Sequence, residues 1–153
     1  EAEYSKEARA AADLRTTLLE IQKKAAGFYY YQLRQDTGKQ GMAYLKGREL
    51  SDETIHKFGL GCSPKYSGAL YQYLKSKGYS DEHLKESGLF NIDERSGMQD
   101  KFWNRVMFPI MDVNNRVIGF GGRVMGDAKP KYLNSPETLN FLLDTFLYFF
   151  GSF

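Results

Sequence analysis

The twenty residues from Arg105 to Val124, RVMFPIMDVNNRVIGFGGRV, constrain the fold more than any other stretch. Val106-Met107-Phe108-Pro109-Ile110 is apolar throughout, the pattern of a strand buried on both faces. Asp112-Val113-Asn114-Asn115-Arg116 reads as a turn, because Asn tolerates the positive φ that tight hairpins demand. Val117 to Val124 then returns as the partner strand. Pro109 has no N–H to give to a ladder, so an edge or the end of pairing is expected there. Lys131-Tyr132-Leu133-Asn134 adds a short third strand.

Upstream of this hairpin the period changes. Leu14, Leu18, Ile21, Ala25 and Phe28 recur in steps of four and three, which gathers them on one face of a helix from Ser5 to about Leu33. Gly27 falls inside that pattern and marks a place where one long helix could divide into two. The cluster FYYY at 28–31 reads as packing. Asp36-Thr37-Gly38 is a turn. Short helices with readable ends follow: Lys39–Lys46 closed by Gly47, one capped by Ser51 and ended by Gly59, Ser67–Lys77 ended by Gly78, and Ser80–Glu86 ended by Gly88. Leu60–Ser63 and Leu89–Ile92 read as short extended pieces, and Asp93-Glu94 as loop. The expected class is α+β, with N-terminal helices followed by a small, mainly antiparallel sheet. Along the chain this gives a mainly helical part at 1–100, a strand-rich basic part at 101–138 and an apolar tail at 139–153.

The chain has 153 residues, 42% hydrophobic and 26% charged, which suits one globular domain or two small subdomains sharing a core. Eleven Tyr and eleven Phe supply large buried areas, so a good core is within reach of so short a chain. A single cysteine, Cys62, excludes an internal disulfide and a Cys-rich zinc site. The apolar runs are too short to span a bilayer and no signal-peptide pattern opens the chain, so the expected setting is reducing and cytoplasmic, with no membrane partner. The chain starts at Glu1 without a methionine, which suggests a piece of a longer protein.

Charge is uneven. Residues 1–100 balance to zero, whereas 101–137 carry Lys101, Arg105, Arg116, Arg123, Lys129 and Lys131 against Asp112, Asp127 and Glu137, a net of +3. Scattered cations usually form a solvated surface. These lie among aromatics and the run Gly119-Phe120-Gly121-Gly122, which keeps nucleic acid open as a partner. Gly119, Gly121 and Gly122 fit neither the P-loop spacing nor a dinucleotide fingerprint, since no helix follows them. Glycines inside a strand mean a bulge, or close approach by another backbone or a ligand. Arg and Lys beside them can meet phosphate oxygens, Tyr132 can stack on a base, and Asn134 can bond to phosphate, sugar or base edge. The combination favours single-stranded nucleic acid over a nucleotide cofactor.

Catalytic sets are missing. His56 and His83 sit on short helices without metal spacing, Cys62 has no histidine near it in sequence, and no clustered carboxylates are present to hold paired magnesium ions. No catalytic residue and no metal ligand is expected on this chain.

The run RVMFPIMDVNNRVIGFGGRV with the following PKYLNSPET resembles the signature of the bacterial replicative DNA primase, the DnaG type. GMAYLKGRELSDETIHKFGLGCSP and the opening helix LLEIQKKAAGFYYYQL are similar to the same family, so the resemblance covers roughly residues 1–138. It implies the N-terminal subdomain of an RNA polymerase core, preceded by a zinc-binding domain and followed by a TOPRIM subdomain whose acidic residues bind magnesium. It further implies a single-stranded DNA template, ribonucleoside triphosphates as substrates and a replicative helicase held by a C-terminal domain. On this chain Arg105 matches the arginine that opens the RVMFP motif, Arg123 the arginine after the paired glycines, and Lys131, Tyr132 and Asn134 the PKYLN run. Lys101 stands where the family has a cation, and Arg48 matches a basic residue before the Ser51 helix. The resemblance implies that these seven face template or nucleotide phosphates.

Two places depart from the pattern. Met111 stands where a basic residue is usual. After SPET, Phe141, Leu147 and Tyr148 fit, but Leu143 and Thr145 replace cations. A tail so apolar is expected to pack on the sheet or on another copy. The competing class of function is therefore a non-enzymatic remnant or interaction module that self-associates through 139–153. A third reading is an unrelated nucleotide-binding domain with its phosphate site at Gly119–Gly122.

Overall fold

The structure, a computed structural model, describes residues 2–135, with side chains from residue 5. The tail at 139–153 lies outside them, and so does the self-association expected of it.

Helix α1 runs from Ala2 to Leu33 without a break. Gly27 does not divide it. The glycine costs about 1 kcal/mol relative to alanine, but Ala25 and Tyr29 on either side are buried, and that packing outweighs the local weakness. A single 3-10 turn at Asp36–Gly38 leads into α2 (Lys39–Gly47). Three short helices follow: α3 (Asp52–Lys57), α4 (Ala69–Ser76) and α5 (Asp81–Glu86). Ser51 and Ser80 cap α3 and α5 as their sequence implied, accepting from Thr54 N at 3.1 Å and His83 N at 3.3 Å. Gly59, Gly78 and Gly88 follow α3, α4 and α5 with positive φ, as expected of residues just past a helix end.

The main sheet is antiparallel, in the order β1 (Gly61–Cys62), β4 (Arg105–Met111), β5 (Val117–Val124) and β6 (Tyr132–Asn134). A second, two-stranded sheet pairs β2 (Phe90–Asp93) with β3 (Gly97–Asp100). The extended piece expected at Leu89–Ile92 is β2, but its partner β3 was not expected, and Asp93-Glu94 was read as loop. The two residues are instead the end of a strand and the start of a hairpin turn, fastened where Asp93 accepts from Arg95 N at 2.9 Å. The edge expected at Pro109 exists locally. β1 covers β4 only at Val106 and Met107, so at Pro109 that flank of β4 has no strand to receive an N–H.

Alternation along β4 sends its side chains into two cores. Val106, Phe108 and Ile110 join Leu45, Ile55 and Leu60 on the side of α2 and α3. Met107, with Phe120 from β5, joins Ile21, Ala25 and Tyr29 of α1 and Leu70, Leu74 and Leu84 of α4 and α5. The strand is thus buried on both faces, as its unbroken apolar run implied. Helix α1 lies directly against β1: a Cβ on Gly61 would stand 2.4 Å from the carbonyl carbon of Tyr29. Only glycine lets the helix and the strand come so close.

Candidate nucleic-acid interface

The sheet end formed by β5 and β6 carries most of the expected site. Arg123 and Tyr132 are direct cross-strand partners, and the neighbouring pairs are Gly122 with Leu133 and Gly121 with Asn134. The Arg123 guanidinium lies 5.3 Å from the Tyr132 ring centroid and 5.4 Å from that of Tyr44. The Arg48 guanidinium, at the end of α2, lies 5.9 Å from the Tyr44 ring centroid, and Lys131 Nζ lies 5.7 Å from that of Tyr132. The order Arg48, Tyr44, Arg123, Tyr132, Lys131 is a ladder of alternating cations and rings, each contact worth about 0.5–1 kcal/mol where exposed. Four of its members were expected from sequence. Tyr44 was not. It is nearly eighty residues from Arg123 in the chain, and only α2 packing beside the sheet brings it there. Its sequence signal was weak: one more tyrosine, one turn before a basic residue.

Arg48, Lys129 and Lys131 are exposed, while Arg123, Tyr132 and Asn134 are half-buried. Arg123 also donates to Val124 O, and its Nε is buried without an acceptor. Asn134 Nδ2 donates to Ser135 O at 3.1 Å, which fixes its amide at the end of β6.

A second basic cluster lies around the start of β4. Asp100, on β3, accepts from Leu70 N at 2.8 Å and Tyr71 N at 3.0 Å and so caps α4. Burial pushes its carboxyl up to about 6, against the downward pull of those two N–H groups. The cap fixes the segment that carries Lys101 and Trp103. Lys101 is half-buried, and desolvation lowers its ammonium pKa. Trp103 is 42% exposed, with its indole N–H donated to Lys65 O. With Asn91, Arg105, Lys129 and Pro130 they line a cavity of about 410 Å³. The sequence reading passed over Trp103, although a lone tryptophan between cations is a signal for base stacking.

Arg105 itself is placed differently from the surface cations. It is 4% exposed, and its guanidinium donates to the carbonyls of Gly122, Lys131 and Pro130. Burial first, and Arg123 second, lower its pKa. The glycines are also placed differently from a phosphate site. Gly119, Gly121 and Gly122 are all buried within β5. A Cβ on Gly122 would meet Phe102 Cδ1 at 2.9 Å, Arg105 Cδ at 3.0 Å and Met107 Sδ at 3.0 Å. Close approach does occur here, but what approaches is the protein's own core. At Gly122 this favours close approach by the protein itself over approach by a ligand.

Ion pairs with carboxylates engage Lys39, Lys46, Lys75 and Arg116. Among the described residues no carboxylate ion pair is formed by Lys101, Arg105, Arg123, Lys129 or Lys131. Among the described residues no three His, Cys, Asp or Glu side chains converge to hold a metal ion. Nor is any described helix long and apolar enough to cross a membrane.

Residues 28–153 match the family model described as DNA primase catalytic core, N-terminal domain. The DNA primase of Clostridium acetobutylicum is 40% identical over 131 residues, covering 86% of this chain and 22% of that protein. This chain therefore spans about a fifth of that relative's length. Among solved structures, the DnaG primase catalytic domain bound to ssDNA superposes with a TM-score of 0.78 at 38% identity, over 83% of this chain and 41% of that one. The Aquifex aeolicus primase structure, comprising zinc-binding and RNA polymerase domains, gives a TM-score of 0.73 at 32% identity over 81% and 30%. The signature read between Arg105 and Thr138, the α+β fold and these matches agree: the chain belongs to the DNA primase family, as the N-terminal domain of the primase catalytic core.

Proposed function

We propose that this domain is the template- and nucleotide-facing wall of a primase, an RNA polymerase that makes RNA primers on single-stranded DNA during replication. The observation that supports this reading best is the ladder from Arg48 to Lys131, in which exposed or half-buried cations alternate with aromatic rings. Cations attract the phosphate backbone without regard to sequence, and rings offer faces on which any base can stack. Arg48, Lys101, Arg123, Lys131, Tyr132 and Asn134 bind template, incoming ribonucleoside triphosphate, or both. Tyr44 and Trp103 join them as ring surfaces.

The catalytic carboxylates and their magnesium belong to a following domain of the full enzyme, zinc to a preceding one, and the replicative helicase docks on a further one. This chain alone binds template weakly and polymerises nothing. Anisotropy of a labelled single-stranded oligonucleotide, titrated across a salt series, tests the binding role. The expected result is weak binding that falls steeply with salt and is competed by ribonucleoside triphosphate. Template-dependent primer synthesis by this chain alone, or oligonucleotide affinity indifferent to salt, would overturn the reading.

A further inference from the structure

We propose that Arg105 is a positioning residue: its guanidinium holds the loop between β5 and β6 so that Lys131 and Tyr132 stand where the single strand passes, and it does not bind the ligand itself. The inference rests on the reading of this face as a single-strand wall. A residue that met phosphate would present its N–H groups to solvent, whereas Arg105 is 4% exposed. Nη2 donates to Pro130 O at 2.7 Å, and Nη1 donates to Lys131 O at 3.3 Å and Gly122 O at 3.4 Å.

Both ends of the clamp are anchored. At its base, Arg105 N donates to Ser63 Oγ at 2.9 Å, and Ser63 N donates to Arg105 O at 2.8 Å. At its far end, Lys131 O accepts from Val124 N at 3.0 Å as well as from the guanidinium. The segment between, residues 126–131, is exposed throughout, so packing does little to fix it. Two separate pieces of backbone, one in β5 and one before β6, are bridged by one planar fork. An ammonium on a flexible stem cannot reproduce that geometry. No carboxylate among the described residues neutralises Arg105, and three carbonyl dipoles take that part instead.

The test compares Arg105→Lys, which keeps the charge and loses the fork, with Arg105→Met, which fills the space without charge. Each is measured for oligonucleotide affinity across salt, for amide hydrogen exchange over residues 122–133, and for thermal midpoint. Both variants should lose about tenfold in affinity, lie within about twofold of each other and keep the wild-type salt slope, while exchange across 125–133 accelerates. Wild-type affinity in Arg105→Lys, a slope lowered by about 0.7 in Arg105→Met, or unchanged exchange in that loop would overturn the proposal. If Arg105→Lys does not fold, Arg105→Met, which carries no charge into the core, decides on the same two readouts. Failure of the wild type to bind the oligonucleotide would sink the wall reading, and the exchange data would still decide whether Arg105 holds the loop.

Discussion

Arg123 and Tyr132 face each other across the β5–β6 ladder, with the guanidinium carbon 5.3 Å from the ring centroid. The Tyr44 ring centroid lies 5.4 Å from the same guanidinium carbon. An arginine in contact with two rings is more ordered than a side chain free in solvent. If Arg123 meets phosphate as proposed, binding there costs less ordering entropy than binding with a mobile surface side chain.

That arrangement separates rings from charges in an experiment. Tyr44→Ala and Tyr132→Ala should each weaken single-stranded oligonucleotide binding by about 1–3 kcal/mol with the salt slope unchanged. Lys131→Ala should weaken it and lower the log–log slope by about 0.7, the share of one phosphate contact. Arg123→Ala should do both, because it removes a charge and its contacts with two rings. Anisotropy titrations from low to moderate salt read all four, and a slope change in the tyrosine variants would contradict the division.

Two glycines should tolerate a methyl group to different degrees. At Gly122 the new Cβ meets side-chain atoms of Phe102, Arg105 and Met107 at 2.9–3.0 Å, and the arginine and methionine can shift. At Gly61 it meets the Tyr29 backbone at 2.4 Å, and α1 as a whole must move. Gly122→Ala should cost about 1–3 kcal/mol, and Gly61→Ala more than about 3 kcal/mol. Urea unfolding gives the order, and equal costs would show that α1 yields easily.

Tyr29 buries its hydroxyl in the core without a hydrogen-bond partner, and that burial raises its phenol pKa further than the nearby Asp100 does. Its ring packs edge-on against Phe102 and Phe120. Tyr29→Phe keeps the ring and removes the unsatisfied group, so it should stabilise the fold by about 1 kcal/mol. The urea midpoint should rise with the slope of unfolding unchanged.

Asp100 ties stability to pH. Its carboxyl is raised to about 6 in the folded state by burial, above the value of about 3.9 for an unfolded aspartate. The folded protein therefore holds that proton more tightly. The contribution is fully present below about pH 4 and is lost as pH rises through about 6, a change of about 3 kcal/mol. Asp100→Asn removes the titration and keeps one acceptor for the start of α4. Its stability between pH 4 and 6 should be flatter than wild type, and within about 1 kcal/mol of it at pH 7. A variant whose pH profile matched wild type would remove Asp100 from this account.

Local features of the chain were legible because their causes are local. Ser51 and Ser80 cap their helices through bonds to N–H groups three residues on, and glycines with positive φ follow α3, α4 and α5. The β4–β5 hairpin was legible from its apolar runs and the Asn turn. The β2–β3 hairpin was not. Its exposed residues carry little hydrophobic alternation, and its pairing depends on Phe90 entering a core built by distant helices.

By itself, the sequence determined the helices and the main hairpin, the family and the net positive charge of the 101–137 stretch. Only the tertiary structure decided where each cation of that stretch sits. Arg105 and Arg123 read alike as cations of the 101–137 stretch, yet Arg105 is buried with its guanidinium on three carbonyls and Arg123 lies beside two rings. Gly122 read as a place of close approach by backbone or ligand, and a Cβ there would meet Phe102, Arg105 and Met107. Burial and stacking come from partners on other strands and helices, nine to about eighty residues away in sequence, which no local pattern encodes.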